Sequence, residues 1–200
     1  MLRRMRTPIL VACCASLALV ACAHAPAAPG AAPAAPSAPS APSAACAAPE
    51  FRQLDFWVGQ WDLTVKARQD PASDAWAEAR GTQRIERLLG GCVISENFEG
   101  DGPGPKWAGK SYSMWQPQLG KWRQTWVDDQ GSFLEFEGGL EAGTMALYGP
   151  PKAGPDGKPM QMRMVWLDVT AETMRWEWQR TTDGGATWTP MLIVAYQRRH

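Results

Sequence analysis

Residues 51–61 read FRQLDFWVGQW, from Phe51 to Trp61, and they stand where an Ala/Pro/Ser tract gives way to alternating strands. Phe51, Leu54, Phe56 and Trp57 have the spacing of a short apolar turn. Gly59 permits a sharp change of direction, and a strand begins around Trp61. Everything after this stretch reads as β-structure. Leu63–Val65, Ala77–Leu89, Cys92–Glu99, Trp107–Trp115 and Lys121–Val127 alternate or carry β-formers. Phe133–Glu141, Thr144–Tyr148, Met160–Val169, Thr173–Thr182 and Trp188–Arg198 continue the series. Gly, Pro and Asp clusters bound the runs, and no long helical period appears. The fold class is therefore all-β. It is an up-and-down antiparallel barrel of about ten strands, preceded by a short helical turn, because closure removes exposed sheet edges.

Upstream of this stretch the chain changes character. Residues 1–21 carry three Arg and then an uncharged apolar run, the pattern of a signal peptide. Leu19-Val20-Ala21-Cys22 resembles a bacterial lipobox, which implies lipid on Cys22 and a membrane as partner through that lipid. By the same resemblance, Ala23 after the Cys implies sorting to the outer membrane, facing the periplasm. Residues 22–49 are the lipidated Cys and a spacer. Ala and Pro make up 21 of the 27 residues from Ala23 to Pro49. Such a tract favours extended chain and reaches on the order of 80 Å. Residues 50–200 form the barrel domain.

The whole chain has 20 basic and 20 acidic residues. Without Arg3, Arg4 and Arg6, 17 basic face 20 acidic residues, a net of −3. That excludes nucleic acid as an expected partner. Cys13 and Cys14 leave with the leader and Cys22 takes lipid. Cys46 and Cys92 remain and are predicted to pair, the alternative being two free thiols.

Period two sorts the rings. Trp122, Gln124 and Trp126 share a face, as do Met162, Met164 and Trp166, and Met174, Trp176 and Trp178. Arg123, Arg163, Arg175 and Glu177 lie opposite. The Trp/Met sets are placed inside. Trp115, Trp122, Trp126, Met164, Trp166, Trp176 and Trp178 are thus candidates to line a lumen for a small apolar or amphipathic ligand. Ten strands enclose more space than side chains alone fill. Glu96, Asn97, Ser111, Tyr112 and Ser113 are the polar candidates, with Asn97 and Tyr112 among the expected ligand contacts. Which of them face inward depends on register. Glu135 and Glu137 lie about 7 Å apart on one strand face. They would serve a carboxylate-based hydrolase, a third reading behind ligand binding and a structural or protein-interaction module with a filled barrel. No catalytic residue is assigned.

Gly59-Gln60-Trp61 entering the first strand resembles the lipocalin and calycin signature. Gly91-Cys92-Val93-Ile94, Lys121-Trp122, Glu137-Gly138-Gly139 and Asp183-Gly184-Gly185 extend the likeness. Together they resemble a bacterial secreted lipoprotein family of unknown function with the calycin-like fold of nitrobindins. The resemblance implies that Trp57, Gly59 and Trp61 plug the barrel base, with Trp61 against Arg198 or Arg199. Nitrobindins hold haem through a late His. This chain has only His24 and His200, so haem, metal and other cofactors are not expected. Thr181–Trp188 fits the Asp-box pattern of sialidases but occurs once, and it reads as a hairpin loop.

Overall fold

The computed structural model describes residues 43–70, 73–101, 106–154 and 157–200. The expected signal peptide, Cys22, His24 and the expected spacer up to residue 42 lie outside the described residues.

Eleven strands are present among the described residues. They are β1 (Gly59–Arg68), β2 (Trp76–Leu88), β3 (Val93–Asp101), β4 (Trp107–Gln116), β5 (Lys121–Asp128), β6 (Phe133–Glu141), β7 (Thr144–Tyr148), β8 (Lys152–Ala153), β9 (Pro159–Leu167), β10 (Thr173–Thr181) and β11 (Thr189–Arg198). β8, in a stretch expected to be loop, pairs only with the start of β9. The other ten are joined antiparallel in a ring, which β9–β10 and β11–β1 complete. The fold is a closed ten-stranded all-β barrel.

Strand β1 shows why the sequence folds this way. Trp61, Leu63 and Val65 point inward and are buried, while Asp62 between the first two and Lys66 after the third are exposed. The inward residues of the ring strands give one apolar interior, with Ile85, Ile94, Phe136, Leu147, Met164, Met174 and Val194 in the shared core.

Three 3-10 turns, Ala44–Cys46, Pro49–Arg52 and Asp55–Trp57, precede β1. Phe51, Leu54 and Trp57 are buried in the barrel's closed end. Arg87 on β2 holds this plug. It donates to the Phe51 carbonyl at 3.1 Å and pairs with Asp55. Residues expected to be spacer, from Ser43 onward, already belong to the fold. Ser43 N donates to Gly90 O at 2.8 Å. Cys46 and Cys92 are disulfide-bonded, their Cα atoms 5.1 Å apart. The tract is Ala-rich to Pro49, but Cys46 and the backbone bond at Gly90 fix its last residues.

The Asp-box-like segment is a hairpin loop. Asp183 accepts from Thr187 N at 3.0 Å and from the Thr187 hydroxyl at 2.5 Å. These bonds hold its carboxyl well below the usual range. Trp188 lies under Arg163, whose guanidinium is 4.1 Å from the ring centre.

Candidate functional site: a two-sided barrel cavity

The barrel encloses a cavity of about 440 Å³. Trp57, the last residue of the plug, lies at its floor. Arg68, Asp128, Ser132 and Leu134 mark its far end. Leu134 is 37% exposed, so the cavity reaches the surface there. A larger depression, about 1070 Å³, is bordered mostly by outward polar and charged groups such as Asp62, Arg80, Asp101 and Arg175. An apolar ligand gains more in the lumen, where aromatic and aliphatic side chains dominate.

One wall of the lumen is apolar: Val65 on β1, Phe136 on β6, Met164 on β9, Trp176 and Trp178 on β10, and Leu192 and Val194 on β11. Trp176 and Trp178 stack at 6.3 Å, and Phe136 meets Trp178 edge-on at 5.3 Å. The opposite wall carries a polar belt on β2–β5. Gln83 Nε2 donates to Glu96 Oε1, and the Ser111 hydroxyl donates to Glu96 Oε2 at 2.5 Å. Gln124 Nε2 donates to Ser113 Oγ at 2.9 Å.

Trp126, Met164, Trp176 and Trp178 line this cavity. Other sequence-based candidates do not. Trp115, Trp122 and Trp166 face inward but sit at the closed end. Trp122 Nε1 donates to Gln53 Oε1 at 3.0 Å, and Trp115 packs against Trp122 at 6.3 Å. Trp166 meets Trp57 edge-on at 5.2 Å. These three rings belong to the floor packing, because alternation gives a residue's face and not its height along the barrel. Asn97 and Tyr112 lie on the outer face. Asn97 Nδ2 reaches the Arg84 carbonyl at 3.4 Å, and Tyr112 is 53% exposed. Their neighbours Glu96, Phe98, Ser111 and Ser113 take the inward positions. Phe98 and Trp107, which pack edge to face at 4.8 Å, complete the lining. Phe98 shares the period of Glu96, and Trp107 that of Ser111.

The opposite faces hold a surprise at Glu177. It points outward by alternation but is 3% exposed. Arg175 pairs with it, and Gln179 Nε2 donates to it at 2.5 Å. Glu135 and Glu137 are exposed and paired with Arg123 and Lys121. They border a separate depression of about 450 Å³, with Tyr148 and Pro150, and do not line the lumen.

The electrostatics of the lumen centre on Glu96. Burial raises its carboxyl to about 7, although the Ser111 hydrogen bond works the other way. Burial also pushes the Tyr196 hydroxyl up, with Glu96 adding to the effect. Tyr196 is the polar group beside Trp57 and Gln83. Even so, Trp57 Nε1, Trp107 Nε1 and Gln83 Oε1 are buried without a partner in hydrogen-bond geometry among the described residues. Such groups in a cavity wall leave roughly 1–3 kcal/mol each to be recovered by a partner. At the far end, burial would raise Asp128. Donors from Trp126, Ser132 and Gln130 outweigh it and hold Asp128 at about 2. Those bonds occupy both carboxylate oxygens, so Asp128 is committed to its turn.

With the geometry in place, the comparisons with known proteins add one assignment. Residues 47–198 match the family described as Protein of unknown function (DUF1579). The chain belongs to that family. The DUF1579 match begins one residue after Cys46 and ends at Arg198, so it covers the plug and the whole barrel. No curated protein matches the sequence closely enough to count as a relative. A match among solved structures is an S-type phycobiliprotein lyase, CPES, from Guillardia theta. It is 10% identical, covers 74% of this chain and 90% of its own, and has a TM-score of 0.49. No ligand or activity transfers at that distance.

Proposed function

We propose that this DUF1579 chain is an envelope lipoprotein, anchored through lipid on Cys22 on the periplasmic side of the outer membrane. Its barrel would bind a small apolar or amphipathic ligand. The observation that carries the binding reading is the two-sided lumen: an apolar wall on β9–β11 faces a polar belt in which Gln83 Oε1 and Trp107 Nε1 have no hydrogen-bond partner among the described residues. Apolar burial at roughly 25 cal/mol per Å² supplies the affinity, and the belt fixes orientation. The anchoring reading rests on the order Leu19-Val20-Ala21-Cys22 after a charged leader.

Native mass spectrometry of the protein purified from its own host tests the binding reading. A co-purifying small molecule, lost in Leu192→Trp, is the expected result. An empty barrel whose Trp fluorescence responds to no apolar probe overturns it. For the anchor, Cys22→Ser should move the protein from the membrane to the soluble fraction. Unchanged partitioning overturns that part alone.

A further inference from the structure

Resting on the cavity reading above, we propose that the head of the ligand is a basic, hydrogen-bond-donating nitrogen seated on Glu96 and Gln83 Oε1. The rest of the molecule lies among Trp126, Trp176 and Trp178. Four observations lead there.

First, Glu96 is a buried acid without a basic partner among the described residues. Gln83 reaches it from β2, Ser111 from β4 and Tyr196 from β11, and Trp57 lies at the floor beside Tyr196. None of these is cationic. The charged groups bordering the same lumen are Arg68 and Asp128, both at the far end. Arg68 is already engaged by Asp74 at 3.1 Å and by the Pro190 carbonyl at 3.0 Å. Asp128 is capped by its own turn. A buried carboxylate without a cation is costly, and a ligand cation removes that cost.

Second, acceptor capacity is left over. Each oxygen of Glu96 accepts one side-chain donor among the described residues, and a carboxylate oxygen has room for a second. Gln83 Oε1 is buried with no donor in hydrogen-bond geometry among the described residues. A primary or secondary ammonium carries several N–H groups on one atom and satisfies both residues at once.

Third, the surrounding surface suits a cation. Indole faces attract ammonium and guanidinium groups, Trp most strongly. Five Trp side chains border this cavity: Trp57, Trp107, Trp126, Trp176 and Trp178.

Fourth, the head is placed deep. Glu96 is four residues into β3 from the closed end, near the level of the plug, while Leu134 and Met191 line the outer part. The ligand enters nitrogen first and leaves its apolar part toward the mouth.

An uncharged or anionic ligand makes the opposite use of the belt. It would present acceptors to the N–H groups of Trp57 and Trp107 and take a proton from Glu96 as a hydrogen bond. The two cases have opposite pH dependence, and one experiment separates them. The full chain carrying Cys22→Ser, which needs no detergent, is titrated with decylamine, decanol and decanoic acid at pH 6 and pH 8.5, read by calorimetry. Decylamine stays charged across this range. It should bind tightest at pH 8.5 and lose about tenfold in affinity at pH 6, as Glu96 gains its proton. Glu96→Gln keeps the shape and removes the charge, so decylamine should bind no better at pH 8.5 than at pH 6. Tighter binding of decanol or decanoic acid at pH 8.5, or a pH-independent decylamine affinity, overturns the nitrogen assignment and leaves the cavity reading standing. Binding of none of the three overturns both.

Discussion

The Arg198 guanidinium lies 4.0 Å from the centre of the Trp61 ring. It also donates to the carbonyls of Val58 at 2.9 Å and Phe56 at 3.2 Å. One side chain at the end of β11 therefore holds both the first inward ring of β1 and the backbone of the plug. Trp61 answers by donating from Nε1 to the Trp57 carbonyl at 2.9 Å.

Arg198→Ala removes a desolvated ring contact and leaves two plug carbonyls short of a donor. We expect a loss of roughly 3 kcal/mol in urea unfolding. Gly59→Ala attacks the same joint from the other side. Its Cβ would lie 2.1 Å from Arg198 Nη1, at a residue whose φ is +142°. It should destabilise by a similar amount. Combined, the two changes should cost less than their sum, because each breaks the same contact.

Gly109 gives the cavity its shape. A Cβ there would fall 2.1 Å from the Trp126 ring, which leans over the glycine. Gly109→Ala should push that ring out of position at a cost of about 1–3 kcal/mol. It should also weaken binding of any apolar probe, measured by Trp fluorescence titration. Gly139→Ala meets no neighbouring atom within 4 Å and serves as a control that leaves binding unchanged.

Glu96 makes stability depend on pH. Its carboxyl is raised to about 7 in the folded state against 4.5 for the free group. The folded protein thus holds a proton that the unfolded chain has released between these values. Stability from this group is complete below about 4.5 and is lost as pH rises through 7. The loss is on the order of 3 kcal/mol. Urea unfolding at pH 5, 6, 7 and 8 should show this fall, and Glu96→Gln should flatten it.

The disulfide between Cys46 and Cys92 spans 46 residues of sequence. Replacing both with Ser should cost roughly 4 kcal/mol by loop-closure entropy. The loss should be local at first. Hydrogen exchange should speed up in Ala47–Val58 before the barrel strands open.

The fold was legible because alternation is a strong signal where one face is buried. Trp61, Leu63 and Val65 declare an inward face, and Gly or Pro marks nearly every corner. The site was legible only in part. Period two assigns Trp122 and Trp126 to one face but cannot tell that Trp122 meets the plug while Trp126 meets the cavity. Those two rings differ in height by two strand repeats, about 13 Å. At Glu96 and Asn97 a single position decided which side chain enters the lumen. Both are polar, so hydropathy offered no choice between them. The packing of Phe98, a neighbour with an unambiguous preference, made that choice. Glu177 is the reverse case. Its face is outward, but Arg175 and Gln179 close over it, and burial of that kind depends on neighbours rather than on period.

The crosslink at Cys46 has a mechanical consequence. The chain arrives at Ser43 beside Gly90, and three residues later Cys46 bonds to Cys92, next to β3. A pull transmitted along the N-terminal segment therefore passes into β3 through a covalent bond. It does not run through the plug, which comes after Cys46 in sequence. The barrel carries tension past its own stopper, so the closed end stays shut under a load that would otherwise draw it out.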